Sequence, residues 1–548
     1  MKRKAATMLL AGLVAVAVSL TAQQPAPDLI LSNGKIITVD DQFSIAQAVA
    51  VRGDRIVAVG SNADINRQAG PNTKRIDLGG KAVLPGLIDN HAHFQEEGAY
   101  WGLELRLDGI DSRKKALEMI RARAKEKGSG QWVFNLGGWS PDQFVENKKP
   151  FTREELDPYS PDNPVYLRFS RGEVYLNSKA IETIGIDKMK EPWIRRDAGG
   201  RPTGVFDIAG AGPIEAAAKF LDAPNGQRAN LPKDVIVANQ MLMLRDLAES
   251  GLTASGGACT FDDLYREFQA QGKASMRFFC QETAQLAAIA KLRYHTGDEW
   301  QEISNWGERI GNVPGQDPYI ANPTPIPQQV FDQWGRIARE LAQARIPIMI
   351  HTVTTEGVEG QLREVEKIAR DIDIRPLRWS FMHLEGITPA QVERMKKLNM
   401  FAAVHPREVV SGGLLHRVWG EKAFAMPPLR EIQESGILWG LGTDAFEVNQ
   451  YRPFQTLYWA VTGKMVGGTV VNTHTVSRQQ ALIAHTRNNA YLFFRENDLG
   501  SIQPGRLADM IVIDRDYLTV PAEQIKDIKS VMTLVGGRVV FDAGTAQR

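Results

Sequence analysis

The sequence predicts a parallel α/β barrel that carries a small β domain assembled from both ends of the chain. Between about Pro85 and Asn497, short apolar β-patterned runs alternate with helical patterns, as successive units of a parallel barrel do. Both chain ends are instead rich in short strands punctuated by turn residues. Several runs in the middle also stop on a histidine or an aspartate, and barrel chemistry sits at the C-terminal ends of the strands.

At 548 residues the chain is long enough for about two to four domains, or for one large barrel with an accessory domain. An apolar share of 43% and a charged share of 24% are those of an ordinary globular protein. Lys and Arg total 65 against 64 for Asp and Glu, so no charge excess favours nucleic acid or another polyanion. A small-molecule substrate is the expected partner, and a homodimer is left open. The sequence shows no internal repeat and no low-complexity tract.

The N-terminus reads as a secretory signal over residues 1–22. Lys2-Arg3-Lys4 precedes an apolar stretch, Met8 to Val18, and small residues follow at Ser19 to Ala22. The stretch is shorter than the ~20 residues of a spanning helix. Processing would therefore leave no integral membrane segment, and export to a bacterial periplasm is expected. Cys259 and Cys280 are the only cysteines. One bridge between them is open in an oxidising compartment, but buried packing residues are the expectation.

Taken in order, the N-terminal strands read as Leu29–Leu31, Lys35–Val39, Ala48–Val51 and Arg55–Val59, with turns at Asn33-Gly34 and Gly53-Asp54. Met510–Asp514, Ser530–Val535 and Arg538–Phe541 match them at the far end. Residues 28–84 and 498–548 are therefore assigned to one β-sandwich, and 85–497 to the barrel. Barrel strands are read at Arg277–Cys280, Ile346–Ile350, Arg378–Met382, Met400–Val404 and Leu438–Gly442, with an amphipathic helix at Gln329–Ala344.

The richest stretch runs from Ala82 to His93. Its apolar part, Ala82 to Ile88, reads as one buried strand that leads into Asp89-Asn90-His91-Ala92-His93. Side chains two apart on a strand share a face, so His91 and His93 can reach one ion. Ile348-Met349-Ile350 likewise ends in His351, Ser380-Phe381-Met382 in His383, and Leu441-Gly442-Thr443 in Asp444. Neutral imidazoles with a carboxylate suit a borderline divalent cation, Zn²⁺ first among them.

These residues, together with Gly500 to Asp509, resemble the amidohydrolase superfamily. Gly137-Gly138-Trp139, Phe151 to Asp157, Pro164 to Leu167, Asn177-Ser178 and Gly200 to Gly204 resemble the insertion of its amidohydrolase 3 branch, which includes N-substituted formamide deformylases. The resemblance implies a (β/α)8 TIM barrel with an insertion at about 131–210, plus a composite β-sandwich. It implies metal-dependent hydrolysis of a non-peptide C–N bond, an amide or formamide, with one or two ions bound. His91, His93, His351, His383 and Asp444 would then converge on a single point, and Asp444 would act as general base.

Departures from the family bear on metal count and substrate. Many relatives carry a strand-4 lysine, carboxylated so that it bridges two metals. Here the corresponding region, Ile303 to Gly311, has no lysine. Glu308 can supply the bridging carboxylate or be an ordinary glutamate, and Glu282 is a weaker substitute. Ser170-Arg171-Gly172-Glu173 stands where relatives often have a histidine, and His405-Pro406 where they often have Gln-Pro. His405, Arg407, Arg452 and Trp139 are the substrate-pocket candidates, the arginines as clamps for a carboxylate. An ester, lactone or cyclic-amide hydrolase on the same site is the alternative activity. A non-catalytic exported binding protein is the alternative class.

Overall fold

The Ala82–Ile88 run is not one strand. Ala82–Pro85 belongs to one sheet and Leu87–Asp89 to another, and Gly86 makes the break. A Cβ at Gly86 would lie 2.0 Å from Thr253 Oγ1, so only glycine lets the chain pass between the sheets there. The computed structural model describes residues 25–169, 172–207, 210–218, 231–258, 262–282, 294–311, 313–320 and 325–544. The expected signal segment, Ser170, Arg171 and Cys259 lie outside them.

Leu87–Asp89 is the first of eight parallel strands that neighbour one another in chain order. They are β1 (Leu87–Asp89), β2 (Leu252–Ala258), β3 (Arg277–Glu282), β4 (Gln301–Glu308), β5 (Ile348–Thr352), β6 (Ser380–His383), β7 (Phe401–Val404) and β8 (Trp439–Leu441). A two-residue antiparallel strand, Thr296–Gly297, flanks β4. The interior is filled by Ile88, Ala254, Phe279, Met349, Met382, Phe401 and Ala403, with Phe493 stacked on Phe279 at 4.6 Å. Leu87, Phe278, Ile348, Ile350, Phe381, Ala402 and Val404 point outward into the larger core against the helices. Helix Gln328–Gln343 shows why such helices pack there. Its Phe331, Trp334, Ile337, Ala338 and Leu341 form one apolar face, and all are buried.

The barrel closes between β8 and β1 without a strand ladder among the described residues. Side chains span the seam instead. Asn489 Nδ2 donates to Ile88 O (2.6 Å) and to Leu441 O (2.7 Å). Asp89 accepts from Thr443 N (2.9 Å) and Thr443 Oγ1 (2.6 Å). His485 O accepts from Ile88 N at 2.9 Å. The His485 ring is fully buried, and neither ring nitrogen has a hydrogen-bond partner among the described residues.

The chain ends share one sandwich. Met510–Ile513 pairs antiparallel with Ala82–Pro85 inside a six-stranded sheet that also holds Lys35–Ile37, Ser530–Val535 and Arg538–Asp542. A four-stranded sheet of Leu29–Ser32, Ala48–Arg52, Arg55–Gly60 and Lys74–Asp77 covers it, and Leu31, Val49, Val83, Met510 and Leu534 meet in one core. Neither end alone supplies enough strands to bury such a core. The insertion forms a separate five-stranded sheet within Val133–Asp207. Its neighbouring residues feed opposite cores, with Val133, Leu167, Tyr175 and Val205 on one face and Phe134, Tyr166, Leu176 and Phe206 on the other.

Cys280 is disulfide-bonded, which corrects the expectation of a free packing cysteine. Among the described residues, no helix is long and apolar enough to cross a membrane.

Candidate metal centre

Main-chain hydrogen bonds stitch the His-x-His segment into the barrel mouth. Ala92 N donates to Gly256 O (3.0 Å), His93 N to Ala445 O (2.7 Å), and Asp444 N to His91 O (2.9 Å). The fit against β2 is close, because a Cβ at Gly257 would lie 1.9 Å from Ala92 O. His383 ends β6 with a positive φ of 75° and Asp444 follows β8 with a φ of 58°, conformations a non-glycine residue adopts at a cost. Met382 faces the interior, so strict alternation would turn His383 outward. The left-handed backbone at His383 returns its ring to the mouth.

The ligand atoms form two overlapping groups. One atom each from His91, His93 and Glu308 lie within 4.8 Å of one another, and so do one each from Glu308, His351 and His383. Glu308, the last residue of β4, belongs to both. Its Oε1 is hydrogen-bonded to His351 Nδ1 and lies 3.4 Å from His383 Nε2. Asp444 Oδ1 sits 3.5 Å from His91 Nε2 and 3.4 Å from His93 Nε2, while Oδ2 is 3.6 Å from both His383 Nδ1 and Arg407 Nη1. The five predicted residues thus lie together at the barrel mouth, with Glu308 and Asp444 each touching both sides of the cluster.

The donor set fits cations. His91 Nδ1 faces Gln281 Oε1 at 3.0 Å, which places the ring proton there and leaves Nε2 with its lone pair. That Nε2 is buried with no hydrogen-bond partner among the described residues. Burial lowers the pKa of His91 and drives that of His383 well below the ordinary histidine value, so both rings stay neutral as ligands must. For Glu308, burial opposes ionisation, but the hydrogen bond to His351 and the adjoining His383 and His91 rings outweigh it and hold the carboxyl well below its usual range. Asp444 behaves alike: burial raises its pKa, and His383, His93, His91 and Arg407 together pull it lower still.

Of the four substrate-pocket candidates, His405 and Arg407 adjoin the ligand cluster, while Trp139 and Arg452 lie apart from it. Trp139 is fully buried in the insertion core beside Phe144, Phe151 and Tyr175, and its Nε1 donates to Asn135 Oδ1 (2.6 Å). His405 lies behind His383 with no exposed surface and both ring nitrogens engaged. Arg407 is 1% exposed and closes on Glu385 Oε1 through Nε (2.7 Å) and Nη2, with Nη1 3.6 Å from Asp444 Oδ2. Arg452 lines a mixed-charge cavity of about 570 Å³ with Asp246, Glu249, Lys526 and Lys529, away from every metal-centre residue. Glu282 joins neither ligand group.

Sequence reasoning missed Gln281, Asn90, Asn489 and the Asp89–Thr443 pair. Asn90 stands beside the His-x-His motif, but its type alone assigns it no role. Gln281 and Asn489 carry no local signal, because their partners lie 190 and 399 residues away.

A family model described as the amidohydrolase family matches residues 74–541. The N-substituted formamide deformylase of Arthrobacter pascens is 26% identical over 94% of this chain and 98% of its own length. An uncharacterised metal-dependent hydrolase from Pyrococcus furiosus superposes with a TM-score of 0.60 at 21% identity, covering 90% of this chain and all of that one. A variant of atrazine chlorohydrolase from Arthrobacter aurescens TC1, complexed with zinc and atraton, gives 0.53 at 15% identity over 94% and 95%. With the family matched over most of its length, the chain belongs to the amidohydrolase family and is a hydrolase of carbon–nitrogen bonds other than peptide bonds.

Proposed function

We propose that the protein hydrolyses a small amide or formamide with two divalent cations, Zn²⁺ first among them, held at the barrel mouth. The observation that carries this reading is the membership of Glu308 in both ligand groups. One ion would take His91, His93 and Glu308, the other Glu308, His351 and His383. Bound there, the metal supplies an acidified water, with its pKa moved from ~15.7 toward ~7, and polarises the carbonyl. The glutamate offers the two oxygens that a carboxylated lysine provides in many relatives.

Asp444 is the proposed general base. Its Oδ1 faces the His91 and His93 nitrogens and can accept the nucleophile's proton, while Arg407 and His383 steady Oδ2. The same carboxyl would then return the proton to the leaving nitrogen. Export is proposed with this activity, on the N-terminal pattern Lys2 to Ala22 and the disulfide at Cys280.

The test is a panel of N-substituted formamides, N-acyl amides, lactones and esters offered to zinc-replete protein. Turnover of formamides or amides, lost in Asp444→Asn, is expected. Preference for esters or lactones would move the assignment to the alternative hydrolase. Ligand affinity with no turnover by either form would make it a binding protein.

A further inference from the structure

A chain of hydrogen bonds leads from the barrel seam to His383, and each link has only one donor order. Asn489 Nδ2 faces two carbonyl oxygens, Ile88 O at 2.6 Å and Leu441 O at 2.7 Å. Carbonyls only accept, so the amide nitrogen must point at them and Asn489 Oδ1 must point away. Asn90 Nδ2 donates to that oxygen at 3.1 Å, which turns Asn90 Oδ1 toward His405 Nε2 at 2.6 Å. An amide oxygen cannot donate, so His405 carries its proton on Nε2. The neutral ring then offers a lone pair at Nδ1, which lies 2.9 Å from His383 Nδ1. Two lone pairs cannot face each other at that distance, so His383 must be protonated on Nδ1. All four side chains are fully buried, away from bulk solvent.

We infer that Asn489, Asn90 and His405 are positioning residues that hold His383 as the Nδ1–H tautomer and so aim its Nε2 lone pair at the second metal position beside Glu308. The inference rests on the metal reading above for its purpose, but not for the donor order itself. His383 Nε2 stands 3.4 Å from Glu308 Oε1. A lone pair facing a carboxylate oxygen is favourable only with a cation between them. Without the relay, the ring proton could move to Nε2, bond to Glu308 and block that position. A glutamine amide in place of the His405 ring can reproduce the pattern, with Nε2–H toward Asn90 and Oε1 toward His383.

The experiment is ¹⁵N-histidine NMR of the whole protein, zinc-free and zinc-loaded, alongside zinc affinity from chelator competition. In the wild type, His405 should read as protonated on Nε2 and His383 as protonated on Nδ1. His405→Gln should keep the His383 signature and the zinc affinity. His405→Leu should shift zinc-free His383 to the Nε2–H form and weaken the second zinc by about ten- to a hundredfold, the usual effect of losing a ligand's outer partner. If His405→Leu fails to fold, the wild-type and His405→Gln spectra still decide the matter. A wild-type His383 protonated only on Nε2 overturns the relay. So does a folded His405→Leu protein with unchanged tautomer and affinity, because Asp444 Oδ2 at 3.6 Å would then be the acceptor that matters. Tautomers as stated without zinc binding would uphold the relay and overturn the metal reading.

Discussion

The two sides of the barrel mouth hold their ligands by different means. From β3 to β7 each strand is laddered to the next, and Glu308, His351 and His383 sit at the ends of three adjoining strands, with Glu308 in register with Ile350 and Thr352 with His383. Backbone pairing sets the spacing of these strand ends. Across the β8–β1 seam no ladder among the described residues sets the distance from Asp444 to His91 and His93. Asp89, Thr443 and Asn489 bridge it with buried polar side chains. The ladder fixes where the strand ends lie on one side of the mouth, whereas the seam depends on particular polar residues that must all be satisfied.

Substitution at the shared ligand should give the largest effect. Glu308→Gln removes the one carboxylate common to both groups, so zinc content should fall from about two per chain to about one or none, and activity by at least about 10³-fold. Mass spectrometry of the metal-loaded protein and steady-state rates check both. Asp444→Asn probes the seam side. It should retain most of the metal while kcat falls by about 10²–10⁴-fold, the range for losing a general base. Equal loss of metal and rate would make Asp444 chiefly a ligand.

Seam stability should depend on pH. Burial lowers the pKa of His485 to about 4, against about 6.5 for an unfolded histidine. Between those values the unfolded chain binds the extra proton, so stability is full above pH ~6.5 and is lost as the pH falls toward 4. The loss amounts to roughly 3 kcal/mol. Urea melts of wild type and His485→Phe across that window should show the slope and its reduction, with the remainder coming from buried histidines such as His91 and His383. The smallest effect is expected at Arg452. Its cavity holds no metal-centre residue, so Arg452→Ala should leave kcat/KM within about threefold, below the ~1 kcal/mol that removing a substrate contact typically costs.

How much of this was legible in the sequence follows the same division. His91, His93, His351, His383 and Asp444 were found because each ends or follows an apolar run, a local signal. β2 was not read as a strand, because Ala254-Ser255-Gly256-Gly257-Ala258 is built of small residues that make room for Asn90 and Ala92. β4 was read only as a mapped region, since Gln301-Glu302-Ile303-Ser304-Asn305 lacks an apolar pattern. Trp139, His405 and Arg407 carried chemistry in their side chains but not their burial, and burial is a property of the fold. The division of Ala82–Ile88 between two sheets left no mark beyond Gly86.

The most direct test of the two-centre account is the anomalous scattering of zinc in crystals of the metal-loaded protein. The account predicts two peaks about 3.5–4 Å apart. One should be bound by His91 and His93, the other by His351 and His383, with a Glu308 oxygen on each. A single peak, or two peaks without Glu308 between them, would contradict it.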